Sequence, residues 1–215
     1  MAKYKNFTYC ELSGDQEINI SGDVDGYGGC SSGICHTVNI GPNSRMKGPY
    51  FFEECPILQQ VRLGEKCLIR GDNIFAGCSS LKTLNASDGL RLFGNATFAG
   101  CGFQELVIPK GTIVDGSYSF GNSKNLISVI IEDGVVISGD KTLEDCKKLQ
   151  KISIGSYVQI LGERTFANCE NIQSIRVGDN FSILGNNNFA GCRDIPESRH
   201  GANLVNEDYT YAKFA

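Results

Sequence analysis

The stretch LQKISIGSYVQILGERTFANC, Leu149 to Cys169, decides the fold. Ile152 and Ile154 alternate with polar residues, and so do Val158 and Ile160. Period-two alternation over so few residues is the signal of a short, half-buried strand. Gly162 follows the second strand, and Phe166-x-x-Cys169 closes the stretch. Two such strands within some 20 residues cannot bury their apolar sides alone. They need copies of themselves above and below.

Those copies are present. An aromatic residue stands three before a Cys at Phe7/Cys10, Tyr27/Cys30, Phe52/Cys55, Phe75/Cys78, Phe98/Cys101, Phe166/Cys169 and Phe189/Cys192, with degenerate versions at Phe120/Ser123 and Leu143/Cys146. From Phe52 onward the spacings are 23, 23, 22, 23, 23 and 23. The single 22 falls between Cys101 and Ile108. A glycine column runs Gly48, Gly71, Gly94, Gly116, Gly139, Gly162 and Gly185, where a bend calls for positive φ or close backbone approach. Two residues before it runs an apolar column from Met46 through Ile69, Leu92, Val114, Ile137 and Ile160 to Ile183. After each Cys comes apolar-x-x-apolar-x-apolar, as in Leu58-x-x-Val61-x-Leu63 and Leu126-x-x-Val129-x-Ile131. The expected fold is therefore a repeat solenoid of about nine coils, about 23 residues each, with parallel β ladders. The chain reads as a single domain over 1–215, with irregular coils in 1–50, regular repeats in 51–195 and a cap or tail in 196–215. Tyr209, Tyr211 and Phe214 in the tail could fold over the last coil.

These residues resemble the BspA-like leucine-rich repeats, whose unit is a Leu-x-x-Ile-x-Ile strand, a Val and Ile-Gly segment, then Ala-Phe-x-x-Cys. Leu149 to Cys169 and Ile74-Phe75-Ala76-Gly77-Cys78 carry the likeness. It covers about Phe52 to Ile195 well and Phe7 to Tyr50 loosely. Thr, Ser or Ile often replaces the Ala before Phe, and the residue before Gly varies. The resemblance implies a non-enzymatic leucine-rich-repeat module, with surface adhesins that bind host matrix proteins among its relatives.

The 215 residues include 10 Cys, 26 Gly, 2 His and no Trp. Eight of the ten Cys occupy one repeat position, so the count reports coils before it reports chemistry. A buried thiol column is the favoured reading, because free Cys behaves as a small hydrophobe. Disulfides between coils are disfavoured: stacked Cβ vectors point in parallel rather than toward one another. Cys30-x4-Cys35-His36 is the only local cluster with metal-ligand chemistry, and its spacing is loose for zinc. No metal or cofactor is expected.

A net charge of −4 with no basic run argues against nucleic acid as a partner. No apolar stretch approaches the ~20 residues of a membrane span. His36 and His200 are far apart in a linear stack, and the acid pairs Glu53-Glu54, Glu132-Asp133 and Glu144-Asp145 sit in turns, so no enzyme is expected. No secretory signal is visible at Met1 to Asn6. That favours an intracellular structural or scaffold subunit, with a cell-surface, adhesin-like protein as the alternative.

A partner, expected to be a protein of unknown identity, would meet the strand residues that point outward. One row is Gln60, Thr83, Glu105, Ser128, Lys151 and Ser174. The next is Arg62, Asn85, Val107, Ile130, Ser153 and Arg176. The candidate contact set is Arg62, Asn85, Glu105, Val107, Ile130, Lys151, Ser153 and Arg176, centred on the apolar pair Val107 and Ile130. Phe93, Leu161 and Leu184, before the glycines, form a second candidate. End-to-end or lateral assembly is compatible with the repeat.

Overall fold

The structure, a computed structural model, describes residues 6–7, 17–28 and 35–193. Its elements in chain order are β1 (Asn6–Phe7), β2 (Glu17–Ile20), β3 (Asp23–Gly26), β4 (Thr37–Ile40), β5 (Arg45–Lys47), β6 (Gln60–Leu63), β7 (Leu68–Arg70), β8 (Thr83–Ala86) and β9 (Arg91–Phe93). They continue with β10 (Glu105–Ile108), β11 (Ile113–Val114), β12 (Ser128–Ile131), β13 (Val136–Ile137), β14 (Lys151–Ile154), β15 (Gln159–Ile160), β16 (Ser174–Val177) and β17 (Ser182–Ile183). Each coil contributes one longer strand, one shorter strand and the Phe-x-x-Cys turn. Among the described residues there is no helix.

The strand pairs β4/β5 through β16/β17 make seven complete turns. The expected nine is thus about two too many as complete turns: the two earlier units lie partly outside the described residues. The C-terminal tail, with its expected cap, lies outside them too.

All strand pairs are parallel. The shorter strands form one sheet of nine, in the order β1-β3-β5-β7-β9-β11-β13-β15-β17. The longer strands form two separate sheets, β2-β4-β6-β8 and β10-β12-β14-β16. The chemistry of the fourth complete coil explains the break between them. The coil is one residue short after Cys101, so Phe103 fills the slot that Leu81 and Leu126 fill in its neighbours, fully buried. The amides of Gly64 and Glu132 donate to the carbonyls of Ile40 and Ile108, one coil before each. At the same position in the fourth coil stands Pro109, which has no N–H to offer Ala86.

The core is a set of in-register columns. Val61 and Leu84 stack on one side of the break and Leu106, Val129, Ile152 and Ile175 on the other, all buried. The phenylalanine column is stacked nearly face to face, with centroids 5.2 Å apart for Phe52–Phe75, 4.9 Å for Phe75–Phe98 and 5.5 Å for Phe98–Phe120. Leu143 interrupts it, and Phe166–Phe189 resumes it at 5.3 Å. Such offset ring pairs add to the burial of the rings themselves.

The glycine column is explained by close approach. A Cβ at Gly116, Gly139, Gly162 or Gly185 would lie 1.9–2.2 Å from the carbonyl oxygen of the glycine one coil earlier. None of these four has positive φ, so conformational freedom is not what selects glycine there. Within the glycine column positive φ is confined to Gly48, Gly71 and Gly94, and it recurs coil after coil in three other columns. One runs Glu54, Gly77, Gly100, Asn122, Asp145, Asn168 and Gly191, just before the Cys position.

Candidate interaction face

The cysteine column is structural. Cys78, Cys101, Cys146, Cys169 and Cys192 are buried free thiols, and Cys55 is buried in the same column. Each of these five thiols donates to the carbonyl of the Phe-position residue one coil earlier: Cys78 to Phe52 at 3.0 Å, Cys101 to Phe75 at 3.2 Å, Cys146 to Phe120 at 3.7 Å, Cys169 to Leu143 at 3.4 Å and Cys192 to Phe166 at 3.2 Å. Ser123 donates within its own turn instead, to the Phe120 carbonyl at 2.8 Å. That bond competes for the oxygen Cys146 reaches, and the Cys146 contact is the longest of the five. Burial pushes the Cys101 thiol well up and Cys192 up to about 11. For Cys169 the hydrogen-bonded neighbour Cys146, and then burial, do the same. Thiols held protonated and out of solvent are poor nucleophiles and poor metal ligands. Among the described residues no group of three or more His, Cys, Asp or Glu could hold a metal ion. Cys10 and Cys30 lie outside the described residues, so the Cys30–Cys35–His36 cluster falls partly outside them.

The residue before each Phe also has a role the sequence did not reveal. The hydroxyls of Thr97, Ser119 and Thr142 donate to the carbonyls of Gly94, Gly116 and Gly139 at 3.0, 2.7 and 2.8 Å, and the Asn188 amide reaches the Gly185 carbonyl. A buried hydroxyl thus satisfies a carbonyl that the glycine column leaves turned inward. The substitution of Thr or Ser for Ala is the mark of this turn bond.

A polar cluster lies on the turn side. Glu144, 7% exposed at its side chain, accepts from Arg164 Nε at 2.9 Å and pairs with Arg164 Nη2 at 2.5 Å. Tyr118 Oη donates to Asp145 at 3.3 Å, and burial, then Asp145, push that phenol up to about 12. A tyrosine held protonated in this way is a poor base and a poor nucleophile. His36 places its backbone carbonyl on the amides of Gln59 and Gln60, and His200 lies outside the described residues.

The outward rows stand where the alternation puts them. Arg62, Asn85, Glu105, Val107, Ile130, Lys151 and Arg176 are exposed, and Ser153 is half-buried. The break divides them: Arg62 and Asn85 lie on β6 and β8, and the other six lie on the β10–β16 sheet. The two halves differ in chemistry. On the first, Asn19, Asn39, Arg62 and Asn85 are in register, with Asn39 Nδ2 donating to Asn19 at 2.8 Å and Arg62 Nη1 donating to Asn39 at 3.1 Å. An open groove of about 680 Å³ runs beside this amide row. On the second, Val107 (39% exposed) stands opposite Ile130 (45%), with a smaller groove of about 380 Å³ between Lys110, Ile130, Glu132 and Ser153. Leu161 and Leu184 are exposed on the other side of the coil, and Phe93 there is half-buried.

Among the described residues no helix is long and apolar enough to cross a membrane. A crystallised leucine-rich repeat protein from Bacteroides ovatus shares the fold, with a TM-score of 0.50 at 20% identity. The match covers 82% of this chain and 62% of that one, so this chain spans less than two thirds of its neighbour's length. No curated protein matches the sequence. The profile of the BspA type leucine rich repeat region matches residues 4–115 and 92–206, six copies in all. With its coil of paired parallel strands, its Phe-x-x-Cys turn and a profile match over nearly its whole length, the chain belongs to the BspA-type leucine-rich repeat family.

Proposed function

We propose that this chain is a non-enzymatic protein-binding or scaffold module, and that its partner contacts centre on Val107 and Ile130. The family and fold are typically non-enzymatic, and leucine-rich repeats generally mediate protein contacts. The observation that carries the reading is local. Two large apolar side chains stand side by side in register on a face exposed to water, flanked by Glu105, Lys151 and Arg176. An apolar centre with a charged rim is the anatomy of a protein contact. The buried free thiols favour the scaffold version over the surface-adhesin version, because surface proteins usually carry paired cysteines.

Replacing Val107→Asp together with Ile130→Asp should leave the circular dichroism spectrum and melting temperature near wild type, since both side chains point outward. Partner capture from an extract of the native cells should fall at least about tenfold. Capture of the same proteins at wild-type levels by the folded variant would overturn the reading. Binding of purified extracellular-matrix proteins by the wild type, lost in the variant, would select the adhesin version.

A further inference from the structure

We infer that the β10–β16 face pairs with the same face of a second copy of this chain, about a two-fold axis lying along β12. The inference rests on the reading of this face as a protein contact and names the partner. Its ground is the order of side chains across the strands. Glu105 on β10 and Lys151 on β14 lie in one row, one strand to either side of Ser128 on β12. In the other row, Val107 and Ser153 flank Ile130 in the same way.

An axis along β12 exchanges β10 with β14. Glu105 then meets the partner's Lys151 twice over, Ile130 meets the partner's Ile130 on the axis, and Val107 covers the partner's Ser153. Other axes fit worse. An axis along β10 sets Glu105 against the partner's Glu105. An axis between β12 and β14 sets Val107 against the partner's Arg176. An axis between β10 and β12 joins Val107 to the partner's Ile130 but sets Glu105 against the partner's Ser128, leaving its charge unmatched. Of these axes only the one along β12 joins apolar to apolar and opposite charge to opposite charge, which is what a self-complementary interface requires. Within the chain, Glu105, Lys151 and Arg176 make no ion pair with any described residue, so their charges are available to a partner. Aligned packing of two sheet faces is a standard arrangement.

The contact is small. Three overlapping strands at ~4.8 Å spacing and four residues at ~3.3 Å rise give roughly 190 Å² of flat face per subunit, well below the ~800 Å² of a standard interface. The association is therefore weak, with a dissociation constant on the order of 10–100 μM.

Sedimentation velocity of the full chain over roughly 1 μM to 1 mM tests this. The wild type should move from monomer to dimer across that range. Glu105→Lys and Lys151→Glu should each weaken the dimer about tenfold, by opposing like charges across the axis. The combined E105K/K151E variant should recover wild-type association to within about threefold. A chain that stays monomeric throughout overturns the inference. So does a dimer indifferent to the single swaps, or one the double swap fails to restore. None of these results touches capture of a different protein through Val107 and Ile130, so the two readings fail separately.

Discussion

The two sides of the coil treat the fourth complete turn differently. On the short-strand side, nine strands run through it without interruption. On the long-strand side, the sheet stops at β8 and starts again at β10. The same coils carry both sets of strands, so the difference is one of backbone bonding. The short strands are held by a glycine column that brings successive backbones into contact, and the fourth coil keeps its member, Gly116. The long strands depend on amides one coil apart, and there the fourth coil lacks one residue and offers Pro109 where a donor is needed. Other irregularities collect in the same coil. Thr112 has a buried hydroxyl with no partner, and Ser123 replaces the column cysteine. One coil absorbs most of the repeat's departures, and the apolar pair of the proposed contact begins at its edge with Val107.

The continuous side should be the harder to perturb safely. Gly139→Ala would place a Cβ 2.2 Å from the Gly116 carbonyl oxygen, with backbone rather than a yielding side chain in the way. It should cost about 3 kcal/mol or more in urea denaturation. A loss below about 1 kcal/mol would show that the glycine contact is not what holds that sheet. Next in size is Thr112→Val. It removes a buried hydroxyl with no acceptor, in a column where Leu90 and Val135 stand above and below, and should stabilise the chain by about 1 kcal/mol in the same assay. A destabilisation of that size would mean the hydroxyl has a partner after all. The smallest effect belongs to the break. Pro109→Ala restores a backbone donor worth about 1 kcal/mol, while freeing the unfolded chain by a comparable amount. Stability should change by less than about 0.5 kcal/mol, yet the new amide at position 109 should be protected from hydrogen exchange. An unprotected amide there would assign the break to the missing residue alone.

Much of this architecture was legible in the residues. The 23-residue period, the strand alternation and the Phe, Cys and Gly columns are all repeated marks, and repetition makes each position check the others. The outward rows followed from alternation alone, which fixes a side chain's face once its register is known. What stayed hidden was of another kind. Positive φ at Tyr50, Ala96, Tyr118, Lys141 and Arg164 has no local signal, since none of these residue types favours that region. The stack imposes it: each of these amides donates to a carbonyl in the next coil, and the next-but-one side chain enters the core. The hydroxyl before Phe looked like loose variation for a similar reason, because its acceptor is exposed as a need only by the turn.

The sequence by itself determined that this protein is a stack of near-identical coils, which residues face inward, and that one column of cysteines lies in the core. Those properties depend on period and polarity, which are written along the chain. The tertiary structure alone decided that one face would be cut in two and the other left whole. It also decided that the glycines serve backbone contact, and that the pair Val107 and Ile130 would stand on a sheet separate from the amide row. Those properties depend on which donor meets which acceptor across neighbouring coils. A one-residue deletion and a missing N–H acquire meaning only when the next coil is laid beside them.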